Sequence, residues 1–199
     1  MKKLVSVLLA LALVLGMAGA FAESEDLPAY TWNGDDPVWG AVVKYFQEND
    51  FGYEPAEGGV LIPTPIVLKM EKNEDETKAT VWGNFWIFTY SRNAENPKIL
   101  DRGPCGENPG VLKLEKKDDE WAVVSADLME DGDDYKEKIS EYCAGDKDLE
   151  AQYYLTTGSS DDSILDQYQR AAVVNYVVDN SLDIEAYQEP GWGSVNVIN

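Results

Sequence analysis

One aromatic run, 77–90 (TKATVWGNFWIFTY), holds the residues of this chain best suited to binding a ligand. As a strand, it would point alternate side chains to opposite faces. Five side chains share one of those faces: Trp82, Asn84, Trp86, Phe88 and Tyr90. Aromatic walls with a few polar groups are typical of a small-molecule pocket, and an exposed tryptophan can also stack on a carbohydrate. A packed core gives the same pattern, in which case the buried amide of Asn84 needs hydrogen-bond partners.

Carboxylates are the other source of chemistry, since 37 residues are Asp or Glu. A carboxylate becomes a general acid or base when apolar surroundings raise its pKa toward the working pH. Asp127, at the end of a predicted strand, and Glu71, on a predicted hairpin, are the best candidates, although a surface charge is the plainer interpretation of both. Two functions stay open. We favour a non-enzymatic binding or interaction domain over a small enzyme with a carboxylate or tyrosine in an aromatic-lined pocket.

Missing residue types exclude several chemistries. The 199 residues contain no histidine, which excludes histidine-based catalytic triads, cysteine–histidine dyads and the usual His-containing zinc sites. The sequence also lacks the glycine-rich motifs of nucleotide-binding proteins and the GxSxG motif of hydrolases. Acidic clusters at 131–134 and 145–150 offer oxygen ligands, but neither fits a calcium-binding EF-hand loop. We therefore predict no cofactor and no metal, and keep calcium-dependent adhesion as a third, less favoured function.

The first 22 residues have the pattern of an export signal. Lys2 and Lys3 precede an apolar run over 4–15, and the small-residue site ends at Ala22. No other stretch approaches the roughly 20 apolar residues of a membrane span. We expect a secreted, extracytoplasmic protein without a membrane span. The extracytoplasmic compartment is oxidising, so the two cysteines of the chain, Cys105 and Cys143, are predicted to form a disulfide. The alternative is two free thiols.

The charge of the chain restricts its partners. The chain has 16 basic and 37 acidic residues and a net charge of −21. Removal of Lys2 and Lys3 with the signal would make the net charge −23. Nucleic-acid binding normally requires a basic surface, so nucleic acid is excluded as a partner. A small molecule or a protein remains as the partner, and the sequence identifies neither.

The predicted elements form a single α+β domain at 35–199, preceded by a flexible arm at 23–34. Apolar spacing predicts a helix over 35–49, capped by Asp35 or Asp36. Four antiparallel strands are predicted as a curved meander, at 60–72, 77–90, 111–115 and 120–128, with a polar crossing between the second and third. Three further helices follow, from Asp133 or Asp134 to Ala144, over 147–157, and from Ser159 or Ser160 to about Asn180. The tail, 187–198, should pack on the body or add an edge strand.

This order of elements resembles the NTF2-like and cystatin-like α+β folds, in which a helix lies in the concave face of a curved sheet. The segments at 38–46, 81–90 and 111–128 carry the resemblance. The chain also looks like a group of uncharacterised secreted proteins of gut bacteria, through WGNFWIFTY and a closing YQ-x-x-GW at 187–192. The resemblance implies a fold but no activity. The Asp–His pairing of NTF2-like enzymes cannot form without histidine, and the C-terminal helices are additional.

Overall fold

The computed structural model describes residues 26–130, 132–157, 163–189, 191 and 193–197. The predicted signal at 1–22 lies outside them. Four helices lie within the described residues: α1 (Pro37–Glu48), α2 (Tyr135–Cys143), α3 (Lys147–Leu155) and α4 (Ser163–Asp179). The same part of the chain contains seven strands: β1 (Val60–Lys72), β2 (Lys78–Arg92), β3 (Ile99–Gly106), β4 (Pro109–Lys117), β5 (Glu120–Leu128), β6 (Ala186–Gln188) and β7 (Val195–Asn196). None of the described helices is both long and apolar enough to cross a bilayer.

Strand β2 is the centre of the sheet. It pairs with β1 over nearly all its length on one side, and on the other side with β4 and then β3. Beyond them, β5 pairs with β4, while β6 pairs with β3 and with β7. The β3–β6 pair is parallel and the other pairs are antiparallel, so the sheet is mixed. The α+β class is therefore confirmed, but the predicted four-stranded meander does not match this seven-stranded sheet.

Strand β3 lies where the sequence predicted a polar crossing. Pro104 and Gly103 obscured it, because both residues weaken strands. In the structure, Phe88 pairs with Cys105 and Tyr90 pairs with Arg102. Gly103 and Pro104 therefore both lie opposite Thr89 and form a bulge. The hydroxyl of Thr89 donates a 2.7 Å hydrogen bond to the carbonyl oxygen of Pro104. A bulge of this kind tolerates proline, which explains how the strand continues.

Helices cover both faces of the sheet. On one face, Val38, Val42 and Phe46 of α1 pack against Val81 and Phe85 of β2 and their neighbours. On the other face, α2, α3 and α4 cover the alternate side chains of β2 and β1. The C-terminal helices were predicted as additions to a sheet packed against one helix. They form instead a second helical layer over much of this face, which is why β2 is largely apolar on both faces.

Local sequence signals set the helix ends. The carboxylate of Asp36 accepts from the backbone N–H groups of Val38 and Trp39, Asp134 accepts from Glu137, and Asp146 accepts from Leu149. The last bond also lowers the pKa of the Asp146 carboxyl. The predicted helices start and end within a few residues of the observed ones, and the tail supplies β6 and β7. The predicted start of the last helix, at Ser159 or Ser160, lies outside the described residues.

The described part of the arm expected to be flexible, 26–34, contacts the body. Leu27 is buried, and its N–H donates to Gly58. The hydroxyl of Tyr176 on α4 donates a 2.7 Å hydrogen bond to the carbonyl of Pro28. Two aromatic pairs, Tyr30 with Tyr176 and Trp32 with Trp39, hold the rest of the segment.

Cys105 and Cys143 are both free thiols, so the predicted disulfide is not formed. Cys105 lies on β3 beside the cluster that contains Phe88 and Tyr90. Cys143 ends α2 in a separate cluster with Leu149 and Tyr153. An even cysteine count in an exported chain favours a disulfide only if the fold brings the two side chains together, and this fold places them in different clusters.

Candidate functional site

The five predicted ligand contacts on β2 fall into two groups. Asn84 is 0% exposed, Trp86 is 7% exposed, and Phe88 and Tyr90 are each 1% exposed. Trp82 is half-buried. Four of the five therefore belong to the packed interior, and only Trp82 reaches the surface.

Helices α3 and α4 cover the interior group. The carbonyl oxygen of Thr156, directly after α3, accepts hydrogen bonds from Asn84 Nδ2 (2.9 Å) and Trp86 Nε1 (3.1 Å). Asn84 Nδ2 also donates to the carboxylate of Glu107 at 3.2 Å. Farther along β2, the Gln169 amide of α4 donates to the Tyr90 hydroxyl at 2.8 Å. The Nδ2 group of Asn84 thus has the partners expected of a packed core and fixes a helix end, whereas its buried Oδ1 has no hydrogen-bond partner among the described residues.

The surface around Trp82 is a groove of about 510 Å³, called here the Trp82 groove. Its floor consists of two rows of side chains that run across β2, β4 and β5 in register. One row is Trp82, Val111 and Asp127, and the other is Thr80, Lys113 and Ser125. Glu141 and Tyr142 of α2 form its wall. This volume lies within the range of small-molecule sites.

Hydrogen bonds fix the two aromatic side chains of the Trp82 groove. Trp82 Nε1 donates to the backbone oxygen of Tyr142 at 3.1 Å, which attaches the indole to α2. The Tyr142 hydroxyl lies 3.4 Å from Asp127 Oδ1, to which it donates. Burial raises the pKa of that hydroxyl, and the charge of Asp127 raises it further, so Tyr142 stays protonated at neutral pH. The groove therefore has rigid aromatic groups.

Lysine ammonium groups lie against both rings. Lys69 Nζ is 5.2 Å from the centre of the Trp82 ring, and Lys138 Nζ is 5.5 Å from that of Tyr142. Lys138 also lies 3.7 Å from Asp127 and 3.5 Å from Glu141. The carboxylates of the groove are thus balanced by a neighbouring cation, in a chain with a large negative charge overall.

The two carboxylates predicted as catalytic candidates are solvated. The Asp127 side chain is 57% exposed and lies beside Lys138. The Glu71 side chain is 61% exposed and pairs with Lys69 at 3.0 Å. Neither side chain is enclosed by apolar groups. Asp127 nevertheless belongs to the groove, whereas Glu71 lies outside its lining.

A second cavity, of about 460 Å³, lies between α4 and the β6–β7 tail. Gln169, Tyr187 and Glu189 line part of it, and Glu189 is paired with Arg102. None of the five predicted contacts is among the described lining residues. Its link to the aromatic face is indirect, through the hydrogen bond from Gln169 to Tyr90.

Within the described residues, no three or more Cys, Asp or Glu side chains are grouped so as to hold a metal ion. Asp134 and Asp146, from the two acidic clusters, instead cap α2 and α3. Asp131 lies outside the described residues.

Sequence reasoning missed most of the Trp82 groove. Regular pairing along the second predicted hairpin would place Lys113 opposite Val124, and a bulge in β5 shifts its partner to Ser125, so alternation alone would not have found this pair. Tyr142 and Glu141 could not have been found either, since their position depends on how α2 packs on a sheet about 60 residues earlier in the chain.

No family model matches this chain, and neither a curated protein nor a solved structure does. The resemblance to NTF2-like and cystatin-like folds, and to secreted proteins of gut bacteria, therefore stays a prediction.

Proposed function

We propose that this protein is an exported, non-enzymatic binding domain whose ligand occupies the Trp82 groove. One observation carries the proposal: of the five aromatic-face residues, Trp82 alone is accessible, and it lies in a groove of small-molecule size. The signal pattern at 1–22 supports export, and the acidic surface opposes nucleic acid as the ligand. The packing of α1 across one face of the sheet agrees with an NTF2-like or cystatin-like relationship, which we keep as part of the proposal.

The fixed geometry of Trp82 supports binding. A ligand that stacks on a restrained ring loses less conformational entropy on binding than one that must order a mobile side chain. The hydrogen bond from Trp82 Nε1 to Tyr142 supplies that restraint. Pre-organised aromatic groups are also the side chains that most often dominate binding energy.

The enzyme alternative would use Asp127 with Tyr142, whose hydroxyl donates to that carboxylate in the groove. The raised pKa of Tyr142 makes its hydroxyl a poor proton donor to a substrate at neutral pH. The Asp127 side chain is more than half exposed and lies 3.7 Å from the Lys138 ammonium, so it is open to hydrogen bonding by a ligand. These properties suit hydrogen bonding to a ligand better than proton transfer.

The test is a fragment screen against ¹⁵N-labelled protein, observed at the indole N–H signals of its six tryptophans. The variants Trp82→Phe and Trp121→Phe, which each lack one indole, assign the indole N–H signals of Trp82 and Trp121. Trp121 is the matched control, because it is also half-buried and also has a lysine ammonium over its ring, Lys72 at 5.9 Å.

We expect fragments of mixed chemistry to move the Trp82 signal and leave that of Trp121 unchanged. Trp82→Ala should abolish binding of those fragments, with an unchanged far-UV circular dichroism spectrum. Fragments that collect elsewhere on the protein, with none at Trp82, would contradict the proposal.

A further inference from the structure

The geometry points to a neutral saccharide chain as the ligand of the Trp82 groove. This inference rests on the proposed function and adds the chemical class of the ligand. Three features carry it: the charges around the groove, the mixture of hydrogen-bonding groups on its floor, and the in-register rows that run across three strands.

The charges around the groove disfavour an ionic ligand. A cationic ligand that stacked on Trp82 or Tyr142 would be repelled by the ammonium groups of Lys69 and Lys138, which lie 5.2 and 5.5 Å from the centres of those rings. An anionic ligand would meet the carboxylates of Asp127 and Glu141. Both signs of charge are present and largely paired, so an uncharged ligand has the smallest electrostatic penalty.

The polar groups of the groove match hydroxyl groups. A sugar hydroxyl both donates and accepts hydrogen bonds. The carboxylates of Asp127 and Glu141 accept, the ammonium of Lys113 donates, and the hydroxyls of Thr80 and Ser125 do both. A carboxylate paired with one lysine keeps oxygen lone pairs for further donors. The groove therefore offers both kinds of partner in the same lining as two aromatic rings.

The floor suits an extended chain. Its two rows cross β2, β4 and β5, where neighbouring strands are about 4.8 Å apart. Trp82 stands at one end of its row and Asp127 at the other, separated by Val111. A sugar ring can place its C–H face on the indole while the hydroxyls of the next unit reach Asp127. The row is apolar at Trp82 and Val111 and polar at Asp127, two strands away, so a chain of sugars spans it better than a single compact molecule does.

The test measures binding of defined hexasaccharides to the purified protein by isothermal titration calorimetry. The neutral probes are the hexamers of cellulose, xylan, laminarin, mannan and chitin. Charged relatives serve as comparisons: hexagalacturonate is anionic, and hexaglucosamine, the deacetylated chitin hexamer, is cationic.

We expect at least one neutral hexamer to bind, with little change in affinity between about 0.05 and 0.5 M NaCl, because an uncharged ligand is not screened by salt. Trp82→Ala should weaken that affinity by about tenfold or more, the loss expected of an aromatic anchor. Trp121→Ala should leave it within about twofold. Trp82→Phe retains an aromatic ring and should weaken binding less than Trp82→Ala.

Other outcomes overturn the inference. If only a charged hexamer binds, or if none binds while fragments move the Trp82 indole signal, the ligand class is wrong and the proposed function stands. If a neutral hexamer binds but is lost on Trp121→Ala rather than on Trp82→Ala, the site is wrong. If neither hexamers nor fragments reach Trp82, the proposed function fails as well.

Discussion

Asn84 Nδ2 donates a 2.9 Å hydrogen bond to the backbone oxygen of Thr156, which joins the middle of β2 to the end of α3. These two residues are 72 positions apart in the chain. The bond lies in the interior, where Asn84 is 0% exposed. An amide that would have served as the polar group of a pocket instead anchors the helical layer to the sheet.

We predict that Asn84→Ala destabilises the protein by about 2 kcal/mol or more, since it removes the donor of two hydrogen bonds and leaves a cavity in the interior. Asn49→Ala is the matched control. Asn49 Nδ2 also donates to a backbone oxygen, that of Tyr45 at 2.8 Å, but on the surface. Loss of this surface hydrogen bond should lower the free energy of unfolding by about 1 kcal/mol or less. Urea unfolding measures both variants, and equal costs would show that burial of the Asn84 bond contributes nothing.

The sequence predicts β2 and the helices because their signals are local. Both alternate sets of side chains in 77–90 are apolar, and caps such as Asp36 and Asp134 precede apolar spacing. Strand β3 escapes prediction because Pro104 and Gly103 are poor strand residues, and its pairing depends on the edge of β2. The burial of Asn84 cannot be predicted for a similar reason, since its acceptor, Thr156, lies at a helix end far along the chain.

Tyr153 is a second anchor between α3 and the sheet. Its hydroxyl accepts from the Gly83 N–H at 3.1 Å and donates to the Gly110 oxygen at 2.7 Å, and its side chain is 0% exposed. We predict that Tyr153→Phe lowers the free energy of unfolding by about 1–3 kcal/mol, because two buried backbone groups lose this partner. Thermal and urea unfolding measure the loss.

The neighbouring Tyr154→Phe is the control for that variant. Tyr154 lies on the same helix and is 38% exposed, so loss of its hydroxyl should change stability by no more than about 0.5 kcal/mol. A Tyr153→Phe protein as stable as Tyr154→Phe would mean that the hydroxyl of Tyr153 does not hold α3 on the sheet.

The two cysteines give a direct chemical test of the fold. We expect iodoacetamide to modify both Cys105 and Cys143 in denaturant without any reductant, since both thiols are free. In the folded protein at pH 8 the reaction of Cys143 should be slow, because its burial raises the pKa of the thiol to about 11 and leaves little thiolate. Mass spectrometry counts the added groups. An unmodified denatured chain that reacts only after reduction would show that a disulfide forms.

Stability should fall at alkaline pH, in part through Tyr176. Burial raises the pKa of its hydroxyl from 10.0 to about 12, with Arg92 acting in the opposite direction. The unfolded chain therefore releases this proton at lower pH than the folded protein does. Stabilisation from this group is complete below pH 10 and is lost as the pH rises toward about 12.

We predict that Tyr176→Phe reduces stability at pH 8 by about 1 kcal/mol, because the 2.7 Å hydrogen bond to Pro28 is lost. The variant should also lose less stability than the wild type between pH 10 and 12, since it lacks this titrating group. The other buried tyrosines titrate in both proteins, so their contributions to the free energy of unfolding cancel in the comparison. The difference in free energy of unfolding, measured with urea at each pH, should therefore shrink as the pH rises. A difference that stays constant up to pH 12 would show that Tyr176 titrates alike in the folded and unfolded chains, and that its hydroxyl is not buried against the arm.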